Sequence, residues 1–468
     1  MHVNTSSARH SFASIAAATF ATNVGVAVLS LANVLLTARA LGAAGRGELA
    51  FLTTVAMLTS ALSSLGVEEA NGNLAAIEPR SRRALATNSV LLSLLLGLAA
   101  SGTVAGLVAG FPALAAGSDP SLRWIAYAAI PLLIVQIYFQ FLVRADYGFA
   151  LTNSASLLGP AISVAANGTL VAVGRITVGT ALAAWIFGQA CGTALLGWYV
   201  ARRGAGFGKP EARLALRAVG FGVKAHAGRV MKTGNYRLDQ WFLGALAGPR
   251  ELGLYSVAVA WSEAVFYLPE ALGMVMRPDV VRASSHEVGR QVARVFRITL
   301  VLTVPFVVVL VAAAPILCVT VFGSEFRSAI DDLRMLAPGA FGIVALKLFA
   351  NALTARRKPM LGNAAIAVAF AATVAFDLLL IPPYGGFGAA LASTLAYTAG
   401  GAAVAIIFAR SLQVRAEALL PRGSDIATLK QSLRSLVPRQ APVEPLAPEP
   451  SSGPSGHSSA GPGPSGRG

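Results

Sequence analysis

The chain has 468 residues, of which 55% are hydrophobic and only 12% charged, and its mean hydropathy is +0.65. A soluble chain averages about 25% charged residues, so this one carries about half the charge that a water-facing surface needs, which excludes an ordinary soluble protein of this size. The net charge of +16 and isoelectric point of about 10.6 would suggest nucleic acid in a soluble chain, but the placement of the charge argues against that partner.

Twelve apolar runs of about 20 residues, each long enough to cross a bilayer core, follow one another. Their approximate limits are 15–38, 49–67, 85–109, 122–143, 154–174, 177–200, 219–246, 252–275, 297–321, 329–353, 360–382 and 386–409. The seventh is the weakest, since it holds Lys224, Arg229, Lys232, Arg237 and Asp239. Numbered from an inside N terminus, 25 of the 37 Lys and Arg fall in cytoplasmic segments. Arg39, Arg46, Arg123, Arg175, Arg250, Arg327 and Arg334 fall in outer loops, and Lys224, Arg229, Lys232, Arg237 and Lys347 within spans. The positive-inside rule then places both termini in the cytoplasm, and the basic isoelectric point is mostly topology.

Arg9 before an apolar run superficially resembles a signal peptide, but the run continues well past an h-region and reads as an uncleaved first span. The expected organisation is a cytoplasmic segment 1–14, a six-helix bundle 15–200, a basic linker 201–218 and a second six-helix bundle 219–410. A cytoplasmic segment 411–437 follows, with an interfacial helix over 424–437. Residues 438–468, mostly Pro, Gly and Ser, cannot bury enough surface to offset their ordering entropy and read as a disordered tail.

The two halves echo one another. Leu41-Gly42-Ala43-Ala44-Gly45-Arg46-Gly47-Glu48-Leu49 after the first span is matched by Leu243-Gly244-Ala245 through Arg250-Glu251-Leu252 after the seventh, at an offset of 203 residues from Glu48 to Glu251. Glu48 and Glu251 suit the first turn of the next helix, where a carboxylate complements the dipole. Six spans per half gives two bundles of the same orientation, and repeats of this kind place a substrate path at their interface.

No Walker-type loop, no H-E-x-x-H and no metal-ligand spacing among His2, His10, His226, His286 and His457 occurs. Cys191 and Cys318 lie in separate apolar runs and read as core residues. No outer loop is long enough for a catalytic domain, so an enzyme such as a glycan polymerase or ligase is the weaker reading. No cofactor is expected.

Ionisable groups inside a membrane are costly and default to function. On the seventh span Lys224, Arg229, Lys232, Asn235 and Asp239 share an arc of about 140°, with Arg237 and His226 outside it. Two roles are open to these charges: lining a cavity, or pairing and snorkelling at the helix ends. Glu263 and Glu270 lie seven apart on the eighth span, Lys347 and Asn351 four apart on the tenth, and Asp377 near the outer end of the eleventh. Glu263 could carry a coupling proton or Na⁺, or serve as counter-charge for the seventh span. Pro131, Pro160, Pro269, Pro305 and Pro338 fall within spans, where breaks are tolerated beside cavities. Arg290, Arg294 and Arg297 line one side of the approach to the ninth span and suit anionic headgroups.

Several segments, in their order and spacing, resemble a known family. They are Ala38-Arg39-Ala40-Leu41-Gly42 through Gly47, Arg237-Leu238-Asp239-Gln240, Glu251-Leu252-Gly253-Leu254-Tyr255, Val321-Phe322-Gly323-Ser324-Glu325-Phe326 and Ile381-Pro382-Pro383-Tyr384-Gly385-Gly386. The chain resembles the polysaccharide transporters of the multidrug/oligosaccharidyl-lipid/polysaccharide flippase superfamily. The resemblance implies an all-α polytopic membrane protein, with two parallel six-helix bundles around a central cavity. It further implies that an undecaprenyl-diphosphate-linked oligosaccharide is moved from the cytoplasmic to the outer leaflet of the bacterial inner membrane by alternating access. An ion-coupled exporter of drugs or other small molecules is the alternative within the same fold; it is disfavoured by a cavity expected to be cationic. On this reading Arg229, Lys232, Lys347 and Arg39 face the cargo, while Asp239, Glu263, Glu270, Asn235 and Asp377 are the polar and ion-coupling candidates. The expected partners are the lipid-linked oligosaccharide, membrane lipids and a coupling H⁺ or Na⁺.

Overall fold

The computed structural model describes residues 5–266, 269–270, 285–423 and 425. Among these residues there is no strand. The first bundle comprises α1 (Thr5–Ser63), α2 (Val67–Ile77), α3 (Arg82–Gly110), α4 (Pro120–Ala128), α5 (Ile130–Ala145), α6 (Phe149–Ala172) and α7 (Val178–Arg202). After a connection that packs on α3 come α8 (Ala212–Ala247), α9 (Pro249–Ser262), α10 (Ser285–Pro315), α11 (Ala329–Leu336), α12 (Gly339–Ala355) and α13 (Pro359–Ser411).

Among the described residues seven helices are long and apolar enough to cross a membrane, or eight if the α11–α12 pair, bent by 49°, counts as one span. Charges in α8 and the 14-residue length of α9 keep these two outside that set. Twelve crossings are reached only by counting each half of α1 and of α13 separately and adding α8 and α9. The sequence placed a loop over 39–48, but the chain there stays helical, broken only at Gly42, with φ 69° and ψ −179°. Likewise Ile381-Pro382-Pro383 lies inside α13, which breaks at Gly385. Helix starts follow their local chemistry: Asp119 caps α4 by accepting from the Ser121 amide at 2.7 Å, ahead of Pro120. Thr177 and Thr180 form a reciprocal capping box at α7.

One backbone break recurs in both halves, in a different register from the repeat read in sequence. Gly248, between α8 and α9, has φ 89° and ψ 173°, close to the values at Gly42. A side chain in that left-handed region is strained, which is why glycine stands at both. The equivalence Gly42 to Gly248 is an offset of 206 residues, three more than the Glu48–Glu251 match suggests. The second half of α1 then crosses α9 at equivalent glycines. A Cβ on Gly47 would lie 1.6 Å from the Pro249 carbonyl oxygen, and one on Gly253 would lie 1.8 Å from that of Ala43. Gly66, just before α2, and Gly222 of α8 make a similar backbone contact. Glu251 sits in the first turn of α9 as expected, whereas Glu48 lies within α1; each accepts a helix-start amide of another element, Asp119 N at 2.7 Å and Gly386 N at 3.1 Å.

One apolar core runs through both halves and includes Tyr138, Leu196, Leu243 and Tyr255. A second, around Phe296, Phe349 and Phe408, holds α10, α12 and α13 together, with ring centroids 4.6 Å and 4.5 Å apart. Arg297 is not available to headgroups: it pairs with Asp425 at 2.9 Å and donates to Ala418 O at 2.5 Å. That hydrogen bonding holds the Asp425 carboxyl below the ordinary aspartate range. The interfacial helix expected over 424–437, except Asp425, and the tail 438–468 lie outside the described residues.

Candidate functional site

A cavity of about 690 Å³ opens between α1, α5, α6, α7, α8 and α9. The first half of α1 supplies Ser30 and Asn33, and the second half Arg46, Thr53 and Thr54. Gln136 and Gln140 come from α5, Ser156, Pro160 and Ser163 from α6, Trp185 and Gln189 from α7. Arg237 and Gln240 of α8 face Ser256 of α9 and Glu263 just beyond it. Of the prolines within spans, Pro160 lies on this cavity, where a missing backbone donor is tolerated. Polar contacts tie the walls: Asn167 donates to Asn33 at 2.7 Å, and Thr54 to Gln240 at 3.2 Å.

Three charged groups line the cavity. Arg237 donates to Glu263 at 2.8 Å, so that acid is a counter-charge. Arg46 makes no ion pair among the described residues, and its Nε is buried without a hydrogen-bond partner. The cavity therefore carries one uncompensated positive charge. Neither arginine was singled out from sequence as facing the cargo. The Gly- and Ala-rich surroundings of Arg46 read as an outer loop, and the helical wheel leaves Arg237 off the polar arc.

The residues the sequence did nominate fall into three other places. Arg229 is bound to Glu68 at 2.9 Å and Glu69 at 2.7 Å, with its guanidinium 5.3 Å from the Phe141 ring. Lys347 is bound to Glu270 at 2.8 Å and to Phe266 O at 3.1 Å. Arg39 donates to Thr320 O at 3.0 Å, and Lys232 is exposed with no ion pair among the described residues. None of the four, nor Glu270, lines the cavity.

Asp239, Asn235 and Asp377 meet in a separate buried cluster between α8, α9 and α13. Asp239 accepts from Tyr255 Oη at 2.6 Å, from Gln240 N at 2.8 Å and from Ser393 Oγ at 3.3 Å. Asn235 accepts from Thr373 at 2.7 Å. Asp377 is fully buried, within electrostatic reach of Asp239, and neither of its carboxyl oxygens has a hydrogen-bond partner among the described residues. Asp377, one of the polar candidates read from sequence near the outer end of its span, belongs to this interior cluster. Among the described residues no group of three or more His, Cys, Asp or Glu could hold a metal ion.

A family model described as polysaccharide biosynthesis protein matches residues 36–331. The chain belongs to this family. No curated protein sequence matches it. Among solved structures it is similar to the lipid II flippase MurJ in an inward closed conformation, at 14% identity and TM-score 0.69, with 90% of each chain covered. It is also similar to an inward-facing multidrug resistance MATE family transporter of the MOP superfamily, at 12% identity and TM-score 0.66, covering 83% of this chain and 94% of that one. A third is a MOP superfamily transporter from Pyrococcus furiosus, described as having a binding pocket of reverse polarity, at 11% identity and TM-score 0.58, covering 86% and 95%. The chain is thus a multi-pass, all-α membrane protein with the fold of these flippases and transporters.

Proposed function

We propose that the protein flips a lipid-diphosphate-linked oligosaccharide, of the undecaprenyl type, from the cytoplasmic to the outer leaflet of a bacterial inner membrane. Both termini then lie in the cytoplasm. The observation that carries this reading is Arg46, without an ion pair among the described residues, in a cavity of mixed polar and apolar lining. A diphosphate leaving water must exchange its hydration for protein donors, and a guanidinium offers a planar fork of charge-assisted hydrogen bonds. Arg237 adds donors, while Glu263 tempers its charge so that the cargo can leave again. Arg229 and Lys347 act through their carboxylate partners, as latches between helices. An exporter of organic cations would need an uncompensated acid in the cavity, and Glu263 is already matched.

Alternating access follows from the two sets of contacts between the halves. The Gly47–Gly253 crossing closes one, and Gly66–Gly222 with Arg229 and Glu68–Glu69 closes the other. Opening one while the other holds would expose the cavity to one side at a time. The Asp239–Asp377 cluster is our candidate for the coupling H⁺ or Na⁺, since a cation there would supply the partner that Asp377 lacks.

The test is genetic. In a strain lacking its own flippase of this kind, the wild-type chain should relieve accumulation of lipid-linked repeat units in the inner leaflet. Arg46→Ala should fail to do so at equal membrane abundance, and Arg46→Lys should rescue in part. Full relief by Arg46→Ala would overturn the assignment.

A further inference from the structure

The charged and uncharged walls of the cavity face different chemistry. Arg46, Arg237 and Glu263 all stand on α1, α8 and the end of α9, whereas α5 and α7 contribute no charge to the lining. They contribute instead two pairs at helical i, i+4 spacing, Gln136 with Gln140 and Trp185 with Gln189. The helices pack directly against one another, so the pairs form one surface; a Cβ on Gly192 of α7 would lie 3.1 Å from Gln136 Nε2. None of the three glutamine amides makes a hydrogen bond among the described residues. All three residues are half-buried, with amides still accessible from the cavity and free to bond a ligand there. An amide presents both a donor pair and an acceptor, which matches a ring of hydroxyls, and an indole presents an apolar face with a polar edge.

We propose that Gln136, Gln140, Trp185 and Gln189 form a subsite for the uncharged sugar next to the diphosphate, and that this wall selects against a ring bearing a carboxylate. The proposal rests on the flippase reading. It goes further in assigning the sugar's charge from a wall that holds three amides, one indole and no cation. A uronate placed there would meet amide donors but no counter-charge for its carboxylate, whereas a neutral pyranose would stack on Trp185 and share its hydroxyls among the three amides.

The experiment is equilibrium binding to the full chain in nanodiscs with three probes: a short polyprenyl diphosphate, the same carrier with one neutral hexose, and the same carrier with one hexuronic acid. Wild-type protein should bind the neutral-hexose carrier about tenfold tighter than the bare one, as a few net hydrogen bonds supply. The uronate carrier should gain nothing over the bare carrier. Gln136→Leu and Gln189→Leu, and Trp185→Ala separately, should cut the tenfold advantage to about twofold while leaving the bare carrier's affinity unchanged; Trp185→Phe should keep most of it. Gln140→Leu provides a further variant should either of the others fail to fold. Equal affinity for all three probes, tighter uronate binding, or variants that weaken the bare and sugar-bearing carriers alike would overturn the subsite while the flippase reading stands. If even the bare carrier fails to bind wild-type protein, the flippase reading falls and takes the subsite with it.

Discussion

Arg229 and Arg46 illustrate how differently two cations in apolar helices can be used. Arg229 is held by two acids, one of which, Glu68, has a fully buried side chain whose second oxygen has no hydrogen-bond partner among the described residues. Removing the cation leaves that carboxylate buried and unpaired, a loss of roughly 2 kcal/mol or more. Arg229→Ala should therefore lower the thermal midpoint of the purified protein, and adding Glu68→Gln should recover most of the loss. An unchanged midpoint together with lost flipping would return Arg229 to the cargo. The density of charge on α8 was legible in the sequence; its assignment was not, because the partners of Arg229 lie about 160 residues earlier, on α2. Glutamines such as Gln136 and Gln189 gave no signal, since an uncharged amide in an apolar run is unremarkable until its neighbours are known.

Among the elements, the crossing of α1 and α9 decides how the halves can move. Gly47 and Gly253 bring two backbones together, and the groups a Cβ would meet are backbone carbonyls, which cannot swing aside. Overpacking of this kind costs about 1–3 kcal/mol, enough to shift a closed–open balance by roughly fivefold or more. Gly47→Ala should accordingly raise maleimide labelling of a cysteine placed at Ala43, a fully buried position, in a background without Cys191 and Cys318. Labelling that stays at the wild-type level would show that the crossing does not act as a gate. The apolar runs themselves were plain from hydropathy, and most helices begin and end within a turn or two of the expected limits. What hydropathy missed was continuity: Gly- and Ala-rich residues 39–48 look like a turn, yet only Gly42 departs from helical angles. The same low-complexity composition lets the repeat slide by three residues, so the true register emerges only from backbone angles.

For the whole molecule, helices of both halves enclose a cavity of mixed lining, with a buried acid pair in the second half and ion pairs of Arg229 with Glu68 and Glu69 between the halves. An all-helical architecture with an internal repeat was readable from span spacing, because a bilayer imposes element length directly. The cavity lining was not, since it is assembled from six helices whose facing sides depend on bends and breaks that no single-helix periodicity reports. The central claim is that Arg46 receives the diphosphate of a lipid-linked glycan, and the direct measurement is flipping in proteoliposomes. A fluorescent polyprenyl-diphosphate oligosaccharide is incorporated in both leaflets, and its arrival at the outer face is followed by quenching from a membrane-impermeant reductant. Wild-type protein should let the reductant reach nearly all of the probe, and Arg46→Ala, reconstituted at the same density, should slow that second phase by roughly tenfold or more, the scale of a lost charge-assisted hydrogen bond. Equal rates for wild type and Arg46→Ala, or no flipping by wild type, would contradict it.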